Sequence, residues 1–270
     1  MSDTLNILIV GATGKMGQAL IQEIVSDKLT KLCGAIEHKD SSFIGHDAGH
    51  FFGTKTNIDI KAGFDDSATV ADVLIDFTRP SASLEYLAYC RNHKIKYVLG
   101  TTGFSDKEKE IIEEASNEIA ICFAPNMSVG VNLLLSLVET ATKVLHEDFD
   151  IEIIETHHKD KVDAPSGTAL GLGEAVALCS NRTLAEHGIF QREGVMAPRQ
   201  RSDIGFSTIR GGDVVGDHTV LYAGDGERIE LTHKAGSRKT FAKGALRAAK
   251  FIATKSHGLF DMRDVLNLKS

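Results

Sequence analysis

Apolar residues fill nearly every position from Leu5 to Val10, as in a strand covered on both faces of a parallel sheet. A glycine-rich stretch, Gly11-Ala12-Thr13-Gly14-Lys15-Met16-Gly17, follows at once, and then Ala19, Leu20, Ile21, Ile24 and Val25 recur at helical spacing. The alternation continues. Strands are predicted at residues 32–36, 73–77, 97–99 and 119–123, with helices over 83–93 and 106–116. The stretch 39–61, rich in Gly, Ser, Asp and His, reads as loop with one short strand. Six strand signals alternating with helices are the pattern of an α/β, Rossmann-type doubly wound parallel sheet.

A strongly apolar helix (Val131, Leu133, Leu134, Leu135, Leu137, Val138) then leads into a strand at 148–155. From about residue 203 the pattern changes. Short strands are predicted at 204–209, 213–215, 218–223 and 228–233, parted by the turns Arg210-Gly211-Gly212 and Gly224-Asp225-Gly226. No helix separates them, so an antiparallel sheet is expected, followed by a helix over 240–253. The second domain is therefore α+β with a mixed or antiparallel sheet.

Two stretches carry chemistry. A strand, a glycine-rich turn and a helix make the start of a nucleotide fold: Gly11 permits the tight turn, Gly14 the approach of a pyrophosphate, and Gly17 the packing of helix on strand. Thr13 stands where the commonest fingerprint has its second glycine. Glu37 ends the next strand about twenty residues on, where an acid binds the adenine ribose hydroxyls. Gly100, Thr101 and Thr102 also end a strand, as suits a cofactor crevice.

The other stretch is Ile154-Glu155-Thr156-His157-His158-Lys159-Asp160-Lys161-Val162-Asp163-Ala164-Pro165-Ser166-Gly167-Thr168-Ala169. It leaves a β-branched strand and ends on a turn that opens a helix, with Ser166 or Thr168 as candidate cap. Two imidazoles and two ammonium groups thus face a helix start that favours an anion, an arrangement for proton transfer to a carboxylate-bearing substrate. The amides of Ser166, Gly167 and Thr168 suit one substrate carboxylate, and Arg238 is a weaker candidate for the other. A metal site is disfavoured, because no Cys lies near and adjacent histidines rarely aim at one ion. His46 and His50 have a ligand spacing, but Gly45 and Gly49 argue against a helix there, so both read as surface residues.

Composition narrows the picture further. With 270 residues, 42% hydrophobic and 25% charged, the chain has the mix of a globular protein of two domains. A net charge of −7 argues against nucleic-acid or membrane partners, leaving a small molecule drawn in by local basic groups. Met1-Ser2-Asp3-Thr4 leads into a strand without a signal-like segment, and no apolar run approaches a membrane span, so a cytoplasmic location is expected. Cys33, Cys90, Cys122 and Cys179 lie far apart among apolar neighbours and read as buried thiols.

With these residues assembled, the chain resembles the 4-hydroxy-tetrahydrodipicolinate reductase (dihydrodipicolinate reductase) family of the bacterial diaminopimelate–lysine pathway. The likeness covers essentially the whole chain and is most specific over Glu155-Thr156-His157-His158 and Lys161-Val162-Asp163-Ala164-Pro165-Ser166-Gly167-Thr168-Ala169. Gly11 to Gly17, Asp76-Phe77-Thr78-Arg79-Pro80, Gly100-Thr101-Thr102-Gly103 and the tail from Gly258 to Asp264 support it. The resemblance implies a nicotinamide-dependent reductase acting on a cyclic imine dicarboxylate. It implies His157 as proton donor or acceptor, Lys161 as the second catalytic group, and His158, Gly167 and Thr168 as substrate ligands. Gly11, Ala12, Thr13, Gly14, Lys15, Met16, Glu37, Gly100, Thr101, Thr102, Ala124, Pro125, Asn126 and Met127 would bind the cofactor. It further implies a dinucleotide-binding domain over 1–127, with 240–270 packing back on it, and a substrate-binding and oligomerisation domain over 128–239 that builds a homotetramer. Two positions depart from the pattern. His38 replaces a frequent Arg beside the 2′-phosphate of NADPH, so both NADH and NADPH are expected to serve, with a lean towards NADH. Met127 replaces a common aromatic beside the nicotinamide, so a stacking role is not carried over.

Rival classes lack support. A short-chain dehydrogenase needs a Tyr with a Lys four residues on, which Tyr86, Tyr89, Tyr97 and Tyr222 do not have. A non-enzymatic NAD(P)-binding sensor would keep the first domain but has no need of His157 and Lys161.

Overall fold

The computed structural model describes residues 4–64 and 70–269, so Met1 to Asp3, part of the expectation about the first residues, lie outside it. The chain divides into two compact units, residues 1–129 with 238–270, and residues 130–237. In the first, chain order runs β1 (Leu5–Val10), α1 (Lys15–Ser26), β2 (Thr30–Ile36), β3 (Ile60–Lys61), β4 (Val73–Asp76), α2 (Pro80–His93), β5 (Lys96–Leu99), α3 (Asp106–Ser116) and β6 (Ala120–Phe123). Next come α4 (Val129–Leu145), β7 (Asp150–His157), α5 (Gly167–Cys179), α6 (Leu184–His187), β8 (Gly188–Ile189), β9 (Ile204–Arg210), β10 (Gly216–Ala223) and β11 (Arg228–Ala235). The chain then returns to the first unit with α7 (Lys239–Ala253), β12 (Gly258–Phe260) and α8 (Met262–Leu266).

The first sheet is wholly parallel, in the order β12-β6-β5-β4-β1-β2-β3. Side chains alternate across it, so Ile7 and Ile9 pack with α1 and α7 through Leu20, Ile24, Leu246 and Ile252. Leu8 and Val10 point the other way, into a core with Leu87 of α2, Ile112 of α3 and Tyr97. Burial on both faces explains the near-continuous apolar runs of these strands. The strand order reverses at β1, which lies between β2 and β4, and ligands of open α/β sheets bind outside the strand ends at such a point.

Several expectations are corrected. β12 is a seventh strand that the pattern did not predict, because three residues carry no readable period. Helix α2 starts at Pro80 rather than residue 83, since proline's fixed φ suits the first helical position. Residues 213–215 form no strand: Gly212 at φ +56° turns the chain, and pairing starts at Gly216. The second sheet is mixed, within the expected mixed or antiparallel class, in the order β11-β10-β7-β9-β8. β9 and β10 follow one another in sequence, but β7 lies between them, parallel to β9 and antiparallel to β10. Alternation identifies a strand but not its neighbour. Its core joins Ile151, Ile153, Val220 and Tyr222 of the sheet to Leu134 and Val138 of α4 and Leu172 and Val176 of α5.

The stretch 39–61 winds round Asp47, whose carboxylate accepts from the amides of Gly49, Thr56 and Asn57 and the Thr56 hydroxyl. Burial opposes ionisation, yet these donors hold the carboxyl down to about 2. His46 and His50 are exposed there, as expected. Among the described residues no group of His, Cys, Asp and Glu is arranged for a metal, and no helix is long and apolar enough to cross a membrane. Cys33, Cys90 and Cys122 are buried thiols, whereas Cys179, near the end of α5, is only half-buried.

Candidate functional site

Each unit carries one constellation. In the first, Gly11 has φ +67°, in the left-handed region where a side chain is strained. A Cβ on Gly17 would lie 2.2 Å from the Gly11 carbonyl oxygen, so α1 closes on the turn only because residue 17 is glycine. Gly14 is the N-cap of α1 and Lys15 its first residue, and both are exposed. Ala12 is buried in the core and Met16 is half-buried.

Glu37 folds back on this turn. Its Oε2 accepts from the Thr13 amide at 2.9 Å and hydroxyl at 2.7 Å, and its Oε1 from the His38 amide at 2.7 Å. Burial raises the carboxyl's affinity for a proton, but the His38 and Thr13 donors outweigh it and hold the group below its ordinary value. His38 is exposed, with Nδ1 3.5 Å from Asp40.

The strip Gly100, Thr101, Thr102 is ordered by a group the sequence analysis did not single out. Asp76, fully buried at the end of β4, accepts from the Thr78 amide at 2.7 Å and the Tyr97 hydroxyl at 2.5 Å. Its carbonyl takes the Gly100 amide at 2.8 Å, and the Thr101 hydroxyl accepts from Ser83 at 3.0 Å. Tyr97 is driven well above its ordinary value, first by burial and then by the Asp76 charge. Of the last cofactor segment, Pro125 is exposed, Asn126 half-buried and Ala124 buried. Met127 is fully buried in the core, which leaves its backbone for any approach to a cofactor.

These residues fit a dinucleotide. The glycine turn closes where a Cβ would collide, an ionised carboxylate stands at the end of β2, and the Thr78 hydroxyl is buried beside Gly11 without a hydrogen-bond partner.

The second constellation begins on β7. The strand runs to His157, two residues further than predicted, so His157 belongs to the strand and not to the loop. Glu155 and His157, two apart, share the buried face with Ile151 and Ile153. His157 Nδ1 lies 2.5 Å from Glu155 Oε2, and Glu155 is 1% exposed. The Ser166 amide donates to Glu155 Oε1 at 3.0 Å, Thr208 at 3.3 Å, and Arg210 forks onto both oxygens at 2.8 and 2.9 Å. Burial pushes the Glu155 carboxyl up, yet the donors from Arg210 and His157 prevail and it sits below its ordinary value. An ionised Glu155 fixes a proton on Nδ1 and leaves Nε2 as the working nitrogen.

His218 of β10 pairs with Glu155 across the strands, and its ring stands edge-on to His157 at 5.1 Å. Burial, and then the charge His157 can carry, push it down to about 4, so it stays neutral near pH 7. Its Nε2 lies 2.9 Å from the Ser166 hydroxyl, which caps α5 by accepting from the Ala169 amide. Ser166 thus has both its amide and its hydroxyl engaged inside the protein. Thr168 lies within the first turn, not at the cap, and is half-buried, as is His158; Gly167 is exposed. Lys161 Nζ donates to both oxygens of Asp163, at 2.8 and 2.7 Å. Arg238 stands at the N-cap position of α7 without a side-chain capping bond, is exposed and belongs to the first unit, whereas the other predicted substrate and catalytic residues belong to the second. Glu155, Arg210 and His218 were missed by sequence reasoning. Only Glu155 left a local signal, its place two residues before His157 on a strand.

Residues 5–127 match the domain family described as dihydrodipicolinate reductase, N-terminus, and residues 130–266 its C-terminus. The chain is 54% identical over 265 residues to a 4-hydroxy-tetrahydrodipicolinate reductase of Nitrosomonas eutropha, covering 98% of this chain and 99% of that one. It is 53% identical over 269 residues to the enzyme of that name from Laribacter hongkongensis, covering all of both. In fold it is similar to a dipicolinate-bound dihydrodipicolinate reductase from Paenisporosarcina sp. TG-14, with a TM-score of 0.76 at 22% identity over 96% of this chain and 97% of that one. With both halves matched in order and a pyridine-nucleotide fold in the first, the chain belongs to the dihydrodipicolinate reductase family of oxidoreductases.

Proposed function

We infer that the chain reduces 4-hydroxy-tetrahydrodipicolinate to tetrahydrodipicolinate with NADH or NADPH, in the cytoplasm, on the route to diaminopimelate and lysine. The observation that carries this reading is the buried Glu155–His157 pair beside the capped start of α5, inside a chain matched to the family over its length. The substrate loses its hydroxyl as water, and a reduced nicotinamide, when bound, would supply the hydride. His157 provides the proton from Nε2 while Glu155 holds Nδ1–H, so the ring returns to one defined neutral tautomer. Lys161 stabilises negative charge gathering on the ring. His158, Ser166, Gly167 and Thr168 hold one carboxylate at the positive end of α5.

Gly11, Ala12, Thr13, Gly14, Lys15 and Met16 cradle the pyrophosphate, with Gly100, Thr101, Thr102, Ala124, Pro125, Asn126 and the Met127 backbone along the nicotinamide half. Glu37 has lone pairs beyond those given to Thr13 and His38, enough to accept from ribose hydroxyls. A 2′-phosphate would meet that ionised carboxylate and an exposed His38 already close to Asp40. Both cofactors therefore serve, with NADH favoured. An assay with freshly made aldolase product, following nicotinamide absorbance, tests both points. Turnover with either cofactor is expected, and a kcat/KM favouring NADPH by about tenfold, roughly 1.4 kcal/mol, would reverse the cofactor reading. No turnover with either would end the functional one.

The second unit's sheet carries a face of half-buried and exposed residues, Ile154, Thr219, Leu221 and Ile209 among them, which suits burial against other copies in a homotetramer. Light scattering is expected to give the mass of four chains, and a monomer at working concentration would refute that.

A further inference from the structure

Arg210 has no part in the roles above, yet every donor it owns is used. Nε donates to the Lys161 carbonyl at 3.3 Å. Nη1 donates to Glu155 Oε2 at 2.8 Å and to the Ile209 carbonyl at 2.7 Å. Nη2 donates to Glu155 Oε1 at 2.9 Å and to the Asp163 carbonyl at 2.6 Å. A guanidinium carries five N–H groups in a fixed plane, so none is left for a substrate carboxylate. That sets Arg210 apart from an arginine that grips a dicarboxylate.

Four of the five contacts fall into two pairs, the fifth going to the neighbouring Ile209 carbonyl. The fork on Glu155 governs His157, because the same Oε2 takes His157 Nδ1. The contacts to the Lys161 and Asp163 carbonyls fasten the loop that carries Lys161, whose amine is held by the Asp163 side chain. β9 brings Arg210 opposite His157 in register, so one planar group spans strand and loop. We propose that Arg210 is a positioning residue that sets the separation of His157 and Lys161 by holding both in one hydrogen-bonded frame. The role rests on the assignment of those two residues as the proton and charge-stabilising groups.

Lysine keeps the charge but has three donors and cannot fork onto a carboxylate. R210K is therefore expected to lose about 100-fold in kcat, the usual worth of an acid–base group. KM and NADH affinity should stay within about threefold of wild type, and added guanidinium should restore part of the activity of R210A. Among the described residues, Glu155 on β7, Arg210 on β9 and His218 on β10 face His157 or the carboxylate it pairs with, and Lys161 and Asp163 lie in the loop that Arg210 fastens. Removing one shifts the His157 limb of the pH–kcat/KM profile by its sign: down in pH for E155Q, up for R210A. Turnover kept by R210K but lost by H157A overturns the positioning role alone. Turnover kept by H157A overturns the role assignment and this role with it. A loss in R210K confined to KM would make Arg210 a substrate ligand and equally refute the role. Should R210K fail to fold, E155Q decides: a lowered kcat with the limb moved down supports the frame, and an unmoved limb sinks it.

Discussion

His157→Ala is expected to lower turnover by about 10²- to 10⁴-fold, or ~3–5 kcal/mol of barrier, while NADH affinity stays at its wild-type value. The size follows from the setting of the imidazole. His157 is 8% exposed, tied through Nδ1 to an ionised carboxylate, and flanked by a neutral His218 whose Nε2 is engaged with the Ser166 hydroxyl, so this neighbouring imidazole does not stand in for it. Affinity for NADH is spared because the residues assigned to the dinucleotide lie in the other unit. Lys161→Ala should behave alike, with a loss of similar order from an ammonium that meets charge developing on the ring. Steady-state kinetics together with fluorescence titration of NADH read the two effects apart. Wild-type turnover in both variants would remove the enzyme's assigned acid–base pair.

The opposite split is expected from Gly17→Ala. A methyl there would stand 2.2 Å from the Gly11 carbonyl oxygen and 2.9 Å from Ala12 atoms, all backbone, so the turn must open or α1 must lift from β1. Overpacking of this kind costs about 1–3 kcal/mol in stability, and the shifted turn no longer presents its amides to the pyrophosphate. NADH affinity is therefore expected to fall by about 100-fold, roughly 2.7 kcal/mol. The second unit should keep its own fold, since its core shares no residue with the turn. A dissociation constant within about threefold of wild type, measured by the same titration, would show that the turn does not carry the cofactor.

Local physics explains how much of this was visible in advance. The parallel strands β1, β2, β4, β5 and β6 are legible because burial on both faces forces unbroken apolar runs, and α1 and α3 because one face of a helix repeats every three to four residues. Glu37 was legible for a similar reason, since a strand and helix of standard length set its distance from the glycine turn. The histidine pair, Lys161 and the capped helix start sit within a dozen residues, so chemistry and spacing could be read together.

Other features depend on partners far away in sequence. β7 enters between β9 and β10, and no residue in the 204–223 stretch records that, because hydrogen bonds between strands are made by backbone common to every residue. Asp76 reads as one more residue of a strand until Tyr97 and Ser83 close over it. Met127 reads as part of a cofactor loop until the core round α7 claims its side chain. Arg210 reads as a turn residue until the sheet sets it opposite His157, 53 positions earlier in the chain (210 − 157). The sequence by itself determined which elements form and which side chains carry reactive groups, because those follow from neighbours along the chain. Only the tertiary structure decided which guanidinium holds the carboxylate beside that imidazole ionised, because Arg210 and Glu155 lie on strands that meet only when the sheet is assembled.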